Sequence, residues 1–397
     1  MDRRYFVKSA LTVPALFGIG LADGQAMRRG EPALDALIAA SKAARSGALI
    51  VSVNRTRLVE AGESPLQPRH AMSITKPIAG LAILHLIQSG RIHSLDAPVS
   101  DFLPAWRDIE EKRAITLRHV VSHRSGLADD DTATPIYAAA NCVDYALAAP
   151  VVEPPGTRYR YNNRAANLIS GVVEAASGQK LHNYLGEHVF KPMGLGTFDW
   201  QLDPSGTPYA MTGFIGTGSQ LAQIGELLAA GGRSRHGAAV LNPALVARHA
   251  RATAADGEKP TDGIFWSAAS PSGVMIIDAE AVERLSPTIA PETRLWLNAR
   301  VGQTFSPPQA LVDALHVNLP KEIYRKDAPQ LVKGLRYESR PGYGYMHTGD
   351  SGQFLIIAPE KRLVVARMID QTVTRENPRA YTFLELGDLV ANLAKTI

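Results

Sequence analysis

The stretch from His70 to Gly90 constrains this chain more than any other. Ile74, Ile78, Leu81, Ala82, Leu84 and Ile87 recur at helical spacing, and Gly90 supplies a stop. Such a segment is predicted to be a buried helix whose first turn carries Ser73-Ile74-Thr75-Lys76. Residues three apart share a helix face, so the Ser73 hydroxyl and the Lys76 amine come within hydrogen-bonding reach. A serine hydroxyl is a poor nucleophile until a base takes its proton, and a desolvated lysine is neutral enough to serve. The helix N-terminus adds favourable charge where an oxyanion forms. The spacing alone says little, because Ser-x-x-Lys arises by chance about once in a few hundred residues. A second copy, Ser177-Gly178-Gln179-Lys180, follows a helical run and sits on a glycine turn, so it is expected to be a loop.

The chain has 397 residues, 45% hydrophobic and 20% charged, enough for a large core in one large or two ordinary domains. Its net charge of +4 is scattered among acids rather than gathered on one helix or loop, which gives nucleic-acid binding no support. Asp2-Arg3-Arg4-Tyr5-Phe6-Val7-Lys8 precedes an apolar run, Ala10 to Leu21, and small residues up to Ala26. This resembles a twin-arginine export signal over residues 1–26, the alternative being a first amphipathic helix. The run is too short to leave a stable membrane anchor after processing, so a soluble periplasmic or secreted protein is expected. Cys142 is the only cysteine, and its alanine-rich surroundings suggest helix packing rather than a nucleophile. His119 and His123 are spaced to share a helix face, but no acidic partner or HExxH accompanies them, so no metal site is expected.

Along the chain, Ala33 to Arg45 is predicted to be a helix, and Ala48 to Asn54 with Arg57 to Ala61 a hairpin. Residues of about 70–250 are mostly helical, with helices at Thr116–His123, Asn163–Ala176, Leu181–Phe190 and Gly218–Ala230. Ala252 to Ser272 suits an exposed connection. Strands are expected at Val274–Ile277 and Leu295–Asn298, and Ser306–Val332 has no clear pattern. Tyr343–His347, Gln353–Ala358 and Arg362–Met368 form an antiparallel meander, with an amphipathic helix over Tyr381–Leu393 that could cover it. The fold class implied is α/β (α+β): one antiparallel sheet built from both termini, about 33–62 and 272–397, flanked by helices and interrupted by a helical insert.

Two further motifs change the weight of Ser73. Tyr159-Arg160-Tyr161-Asn162-Asn163 contains Tyr-x-Asn, and Tyr345-Met346-His347-Thr348-Gly349 contains His-Thr-Gly at a strand. In order and separation the three resemble the penicillin-binding-protein and serine β-lactamase superfamily, in its class-C-like branch of β-lactamases, DD-peptidases, D-aminopeptidases and esterases. Leu95-Asp96-Ala97-Pro98-Val99, Ile115-Thr116-Leu117-Arg118-His119, Ser122-His123-Arg124-Ser125-Gly126-Leu127 and Phe190-Lys191-Pro192-Met193-Gly194-Leu195 look like family landmarks. Gln220 stands where the family's helix landmark often has an acid, which touches local packing rather than chemistry.

The resemblance implies that Ser73 is acylated, Lys76 is its proton acceptor or relay, and Tyr161 is a phenolic partner, driven toward phenolate by a nearby ammonium. Asn163, His347, Thr348 and Gly349 would bind substrate, and the backbone N–H groups of Ser73 and Asp350 would form the oxyanion hole. Read without the family, Tyr161 and Asn163 are equally turn residues before a helix, with Asn163 its N-cap, and His347 a satisfied strand histidine. The expected function is an exported serine hydrolase, without metal or organic cofactor, acting on a small ester, amide or D-amino-acid peptide. The alternatives are a β-lactamase or D-alanyl-D-alanine carboxypeptidase, or a non-catalytic peptide-binding or sensor domain. Family enzymes that hydrolyse β-lactams often carry lysine where this chain has His347, which argues against β-lactam resistance.

Overall fold

The structure is a computed structural model and describes residues 21–251, 263–307, 309–338, 340–376 and 383–397. Arg3, Arg4 and the apolar run up to Gly20 lie outside the described residues. The first helix spans Leu21–Ala43, beginning earlier than the expected Ala33. Among the described residues no helix is long and apolar enough to cross a membrane.

β-Branched and aliphatic runs with turn residues between them give a six-stranded antiparallel sheet. Its order is Thr56–Ala61, Ala48–Val53, Leu363–Met368, Gln353–Ala358, Gly344–Gly349 and Ser267–Ala269. Ala48 pairs with Met368 and Val53 with Leu363, so the two ends of the chain meet at the centre of the sheet, as the sequence implied. The two inner C-terminal strands are buried on both faces, which is why they read as continuous apolar runs rather than alternating ones. The helix Gly218–Ala229 lies against this sheet so closely that a Cβ on Gly225 would sit 2.6 Å from Val364 Cγ1. Thr217 caps that helix, and Gln220 completes a capping box while its amide donates to the Leu195 and Thr197 carbonyls. The amide at 220 is thus a fully used structural group.

The helical part is organised on Thr75–Gln88, of which Thr75 to Leu84 and Leu86 are buried. A helix that is apolar on all sides needs partners on all sides. Leu168–Ser177 and Leu181–Leu185 pack against it, with Leu168, Val172, Leu181 and Leu185 in the common core. Two of the landmark stretches touch directly, Arg118 forming a two-pronged pair with Asp96 at 2.7 and 3.0 Å. The expected Asn163–Ala176 helix is broken at Asn167 into Asn163–Ala166 and Leu168–Ser177.

A second compact unit, Ser270–Tyr343 with Phe383–Lys395, is distinct from the rest of the described chain. The sheet therefore takes its C-terminal strands from 267–269 and 344–368, not from 272 onward. Within this unit Val274–Ile276 pairs with Thr304–Phe305 and Arg336–Glu338. Leu295–Asn298, expected as a strand, is the end of a helix, Pro291–Asn298, begun by a proline in its first turn. Thr293, Trp296 and Leu297 bury one face of it, a spacing too short to be told from a strand by periodicity. The stretch without a clear pattern holds two helices, Gln309–Asn318 and Lys321–Gly334, whose Leu311, Leu315 and Leu331 meet in the unit's own core. The C-terminal helix is Phe383–Thr396. The exposed connection expected over Ala252–Ser272 lies outside the described residues for 252–262, and beyond that Ile264, Phe265 and Trp266 are each only 2% exposed.

Candidate active site

Ser73 lies on a single 3₁₀ turn, Met72–Ile74, that runs directly into the Thr75–Gln88 helix. Three features fix this turn. The Ala71 N–H donates to the Phe214 carbonyl at 2.9 Å, and the Phe214 N–H to the Thr75 hydroxyl at 3.1 Å. Third, Met72 is held at φ +52°, a left-handed conformation that a side chain adopts at a cost. Gly349 ends the neighbouring strand, and a Cβ on it would overlap the Ala71 carbonyl oxygen and lie 2.9 Å from Met72 Cβ. Only glycine lets the strand come this near the serine. The N–H of Ser73 is in a first turn and that of Asp350 opens another, Asp350–Gly352, positions where backbone donors lack an acceptor in their own turn.

Lys76 is 0% exposed. Its Nζ donates to Ser73 Oγ at 3.1 Å, Asn163 Oδ1 at 2.8 Å and the Met211 carbonyl at 3.1 Å. Burial disfavours the ammonium and brings the lysine down to about 7, with the Asp129 carboxylate opposing. Tyr161 Oη donates to Ser73 Oγ at 2.7 Å, and its ring lies 4.7 Å from Lys76 Nζ. The residue keeps 38% of its surface, yet the atoms packed around its hydroxyl push the phenol well above its ordinary value. The phenolate expected from a nearby ammonium is therefore not favoured: desolvation outweighs charge, and the lysine that would supply the charge is itself held near neutrality.

Asn163 is not the cap of its helix. Asn162 is, its side chain accepting from Ala165 N–H at 2.6 Å, which leaves the Asn163 amide oxygen for Lys76. The backbone N–H groups of Asn163 and Arg164 donate to Asp129 at 2.8 and 3.0 Å. His347 is buried on the same face of its strand as Gly349, and hence on the side of the Ser73 turn. Its Nδ1 is 2.6 Å from the Phe265 carbonyl and must donate to it, so Nε2 is the unprotonated nitrogen. Desolvation, and then Lys76, lower it to about 3, against the Phe265 bond. Thr348 faces the opposite way along the strand.

The four side chains singled out by the motifs, Ser73, Lys76, Tyr161 and Asn163, are thus joined by direct hydrogen bonds, with His347 close by. Asp129, Met211, Phe265 and His123 were missed. Met211 and Phe265 act through backbone carbonyls, for which side-chain chemistry gives no signal. Asp129 follows the Ser125-Gly126-Leu127 landmark by two residues, and that proximity is the one hint the sequence offers. His119 and His123 use their Nδ1 atoms to accept the Thr116 and Asn162 N–H groups at 3.2 and 3.1 Å. Cys142 is buried at the start of the helix Cys142–Leu147, its thiol pushed up by burial and by Asp203.

The family model described as Beta-lactamase matches residues 34–388. The chain belongs to the beta-lactamase family. Within that family, it is 28% identical over 206 residues to penicillin-binding protein 4 of Amycolatopsis lactamdurans, covering 50% of this chain and 54% of that one. It is 32% identical over 143 residues to esterase EstB of Burkholderia gladioli, covering 31% and 36%. The matched region thus spans about half of the first relative's length and about a third of the second's. A solved structure of a penicillin-binding protein homologue from Caulobacter crescentus superposes with a TM-score of 0.56 over 90% of this chain and 98% of that one. Their identity is 14%, so the likeness is one of fold.

Proposed function

We propose that this beta-lactamase-family protein is an exported serine hydrolase that cleaves uncharged esters or amides through an acyl-enzyme on Ser73. The observation that carries this reading is the convergence on one oxygen: Ser73 Oγ is 3.1 Å from Lys76 Nζ and 2.7 Å from Tyr161 Oη, and the lysine is wholly buried. A lysine brought down to about 7 is in large part a free amine at neutral pH. That amine takes the Ser73 proton as Oγ attacks the acyl carbon. The negative charge passes to the acyl oxygen, which the N–H groups of Ser73 and Asp350 receive. Collapse breaks the bond to the leaving group, and the proton held on Lys76 passes to that group through the Tyr161 hydroxyl. Water then repeats the sequence on the ester and frees Ser73. Asn163 orients Lys76 and the substrate, and Gly349 lines the approach, whereas Thr348, expected to bind substrate, is on the other face of the strand and does not.

Substrate choice turns on His347. With Nδ1 committed to Phe265 and the ring neutral, the strand offers no cation for a substrate carboxylate. A β-lactam or a D-Ala-D-Ala terminus loses that pairing, and ~1–2 kcal/mol lost is ~5–30-fold in affinity. The likeness to an esterase and to a penicillin-binding protein leaves both substrate classes to be compared directly. The test is a screen of p-nitrophenyl esters, D-amino-acid amides and nitrocefin, together with fluorophosphonate labelling and intact-mass analysis. The expected result is one adduct on the Ser73 peptide and a higher kcat/KM for a neutral ester or amide than for nitrocefin, with His347→Lys narrowing that gap. Nitrocefin turnover faster than every neutral substrate would overturn the substrate assignment, and labelling elsewhere would overturn the nucleophile. Export rests on Arg3-Arg4 before Tyr5-Phe6. Changing both arginines to lysine and fractionating cells is expected to leave the protein unprocessed in the cytoplasm; full processing would refute the route.

A further inference from the structure

His123 takes no part in the chemistry above, yet it sits at the junction of its two walls. It is 4% exposed, and its ring lies 4.5 Å from that of Tyr161, 5.9 Å from Tyr159 and 5.1 Å from Phe265. Its Nδ1 accepts the N–H of Asn162, the residue between Tyr161 and Asn163. Its carbonyl accepts the Arg160 N–H at 2.8 Å, on the other side of Tyr161. Phe265, packed on its other side, gives its carbonyl to His347. One imidazole therefore touches the segment that carries the phenol and the asparagine, and also the residue that orients the strand histidine.

Two features of His123 are unfavourable for folding. Its backbone is left-handed at φ +56°, and its Nε2 is buried with no hydrogen-bond partner. Because Nδ1 is the acceptor, the neutral ring carries its proton on this unpartnered Nε2. A phenyl ring would fill the same space with no orphan donor, and asparagine or glycine would suit the backbone better. What neither a phenyl ring nor glycine supplies is an acceptor for the Asn162 N–H.

We infer that His123 is a positioning residue: by accepting the Asn162 N–H and lying against the Tyr161 ring, it holds the phenol on the Ser73 hydroxyl. The inference rests on the reading of Ser73 as nucleophile. Titratable groups around the ring are Lys76, His347, Tyr159 and Tyr161; burial first, and then any positive charge on Lys76 or His347, disfavours protonation of His123.

Two substitutions separate the parts. His123→Phe keeps an aromatic ring and removes the acceptor. His123→Asn restores an acceptor, Oδ1, on a residue that tolerates the left-handed backbone. With p-nitrophenyl acetate, His123→Phe is expected to lower kcat ~10²-fold, the scale of a small misplacement of a reacting group, at little changed KM. His123→Asn recovers most of that loss. In a Tyr161→Phe background, His123→Phe has far less effect, because the two act on one group. Equal losses in both backgrounds, or an Asn variant no better than Phe, would overturn the inference. Should the Phe variant not fold, histidine ¹⁵N shifts of the wild type decide: a His123 ring protonated at Nε2 alone across roughly pH 5 to 9 supports the clamp, and Nδ1–H or a cation refutes it. If Ser73→Ala retains turnover, the hydrolase reading fails first; if it is inactive and His123→Phe is not, only the positioning role fails.

Discussion

Two stretches of this chain carry a serine and a lysine three residues apart, and they differ wherever chemistry would use them. Ser73 precedes a buried helix, and its lysine is 0% exposed and bonded to Ser73, Asn163 and Met211. Ser177 closes a helix instead: its hydroxyl donates back to the Val173 carbonyl at 2.6 Å, and Gly178 turns the chain away at φ +75°. Lys180 is paired with Glu174 at 3.0 Å, on a side chain 35% exposed. Spacing brings the two groups near each other only if the helix continues through both. Desolvation then decides whether the lysine is a base, and only Lys76 is wholly buried.

The comparison breaks most sharply at the two serines. Ser73→Ala is expected to reduce turnover by ~10⁴–10⁶-fold and abolish fluorophosphonate labelling, whereas Ser177→Ala changes neither. An active Ser73→Ala enzyme would end the distinction. At the lysines, Lys76→Met costs ~10²–10⁴-fold in kcat/KM by loss of a positioned base, and Lys180→Met is neutral. Tyr161→Phe removes the hydroxyl bonded to Ser73 Oγ and, if that hydroxyl relays a proton as proposed, is expected to cost ~10²–10³-fold in kcat.

The pH profile sharpens the point further. If the Lys76 amine is the base, kcat/KM rises with pH through about 7 and then levels off, and Lys180→Met leaves that limb where it is. A limb unmoved by Lys76→Met would assign it to another group. The smallest effect is on stability. Lys76 binds its proton less tightly folded, at about 7, than unfolded, near its ordinary value of 10.5. Between those values the unfolded chain holds more protons, so stability rises with pH across that window, by up to a few kcal/mol. Denaturant titrations of Lys76→Met should lack that increment, and those of Lys180→Met should keep it.

What the sequence made legible follows from how each residue signals. The strands Gln353–Ala358 and Leu363–Met368 and the helix Thr75–Gln88 were plain because burial on all sides demands unbroken apolar runs. Ser73, Lys76, Tyr161, Asn163 and His347 were found through short motifs whose order in the chain matched a family. Pro291–Asn298 was misread because eight residues hold barely two helical turns, too few for a period. Asn162 was passed over for Asn163 since either asparagine suits a cap, and only the fold decides which amide faces Lys76. The tautomer of His347 is set by the Phe265 carbonyl, and no residue letter carries that information.

The pairing of Ala48 with Met368 has a consequence for how such a chain comes to life. At roughly 5–20 residues per second, the first strand, already paired with Thr56–Ala61, waits roughly 15–60 seconds after its own synthesis before its other sheet partner, Leu363–Met368, exists. Gly349, which closes on the Ser73 turn, emerges in the same late interval. Contacts this distant in sequence form slowly, after closure of a very long loop. A chain not yet synthesised through Gly349 therefore carries the serine and lysine without the strand that completes their surroundings.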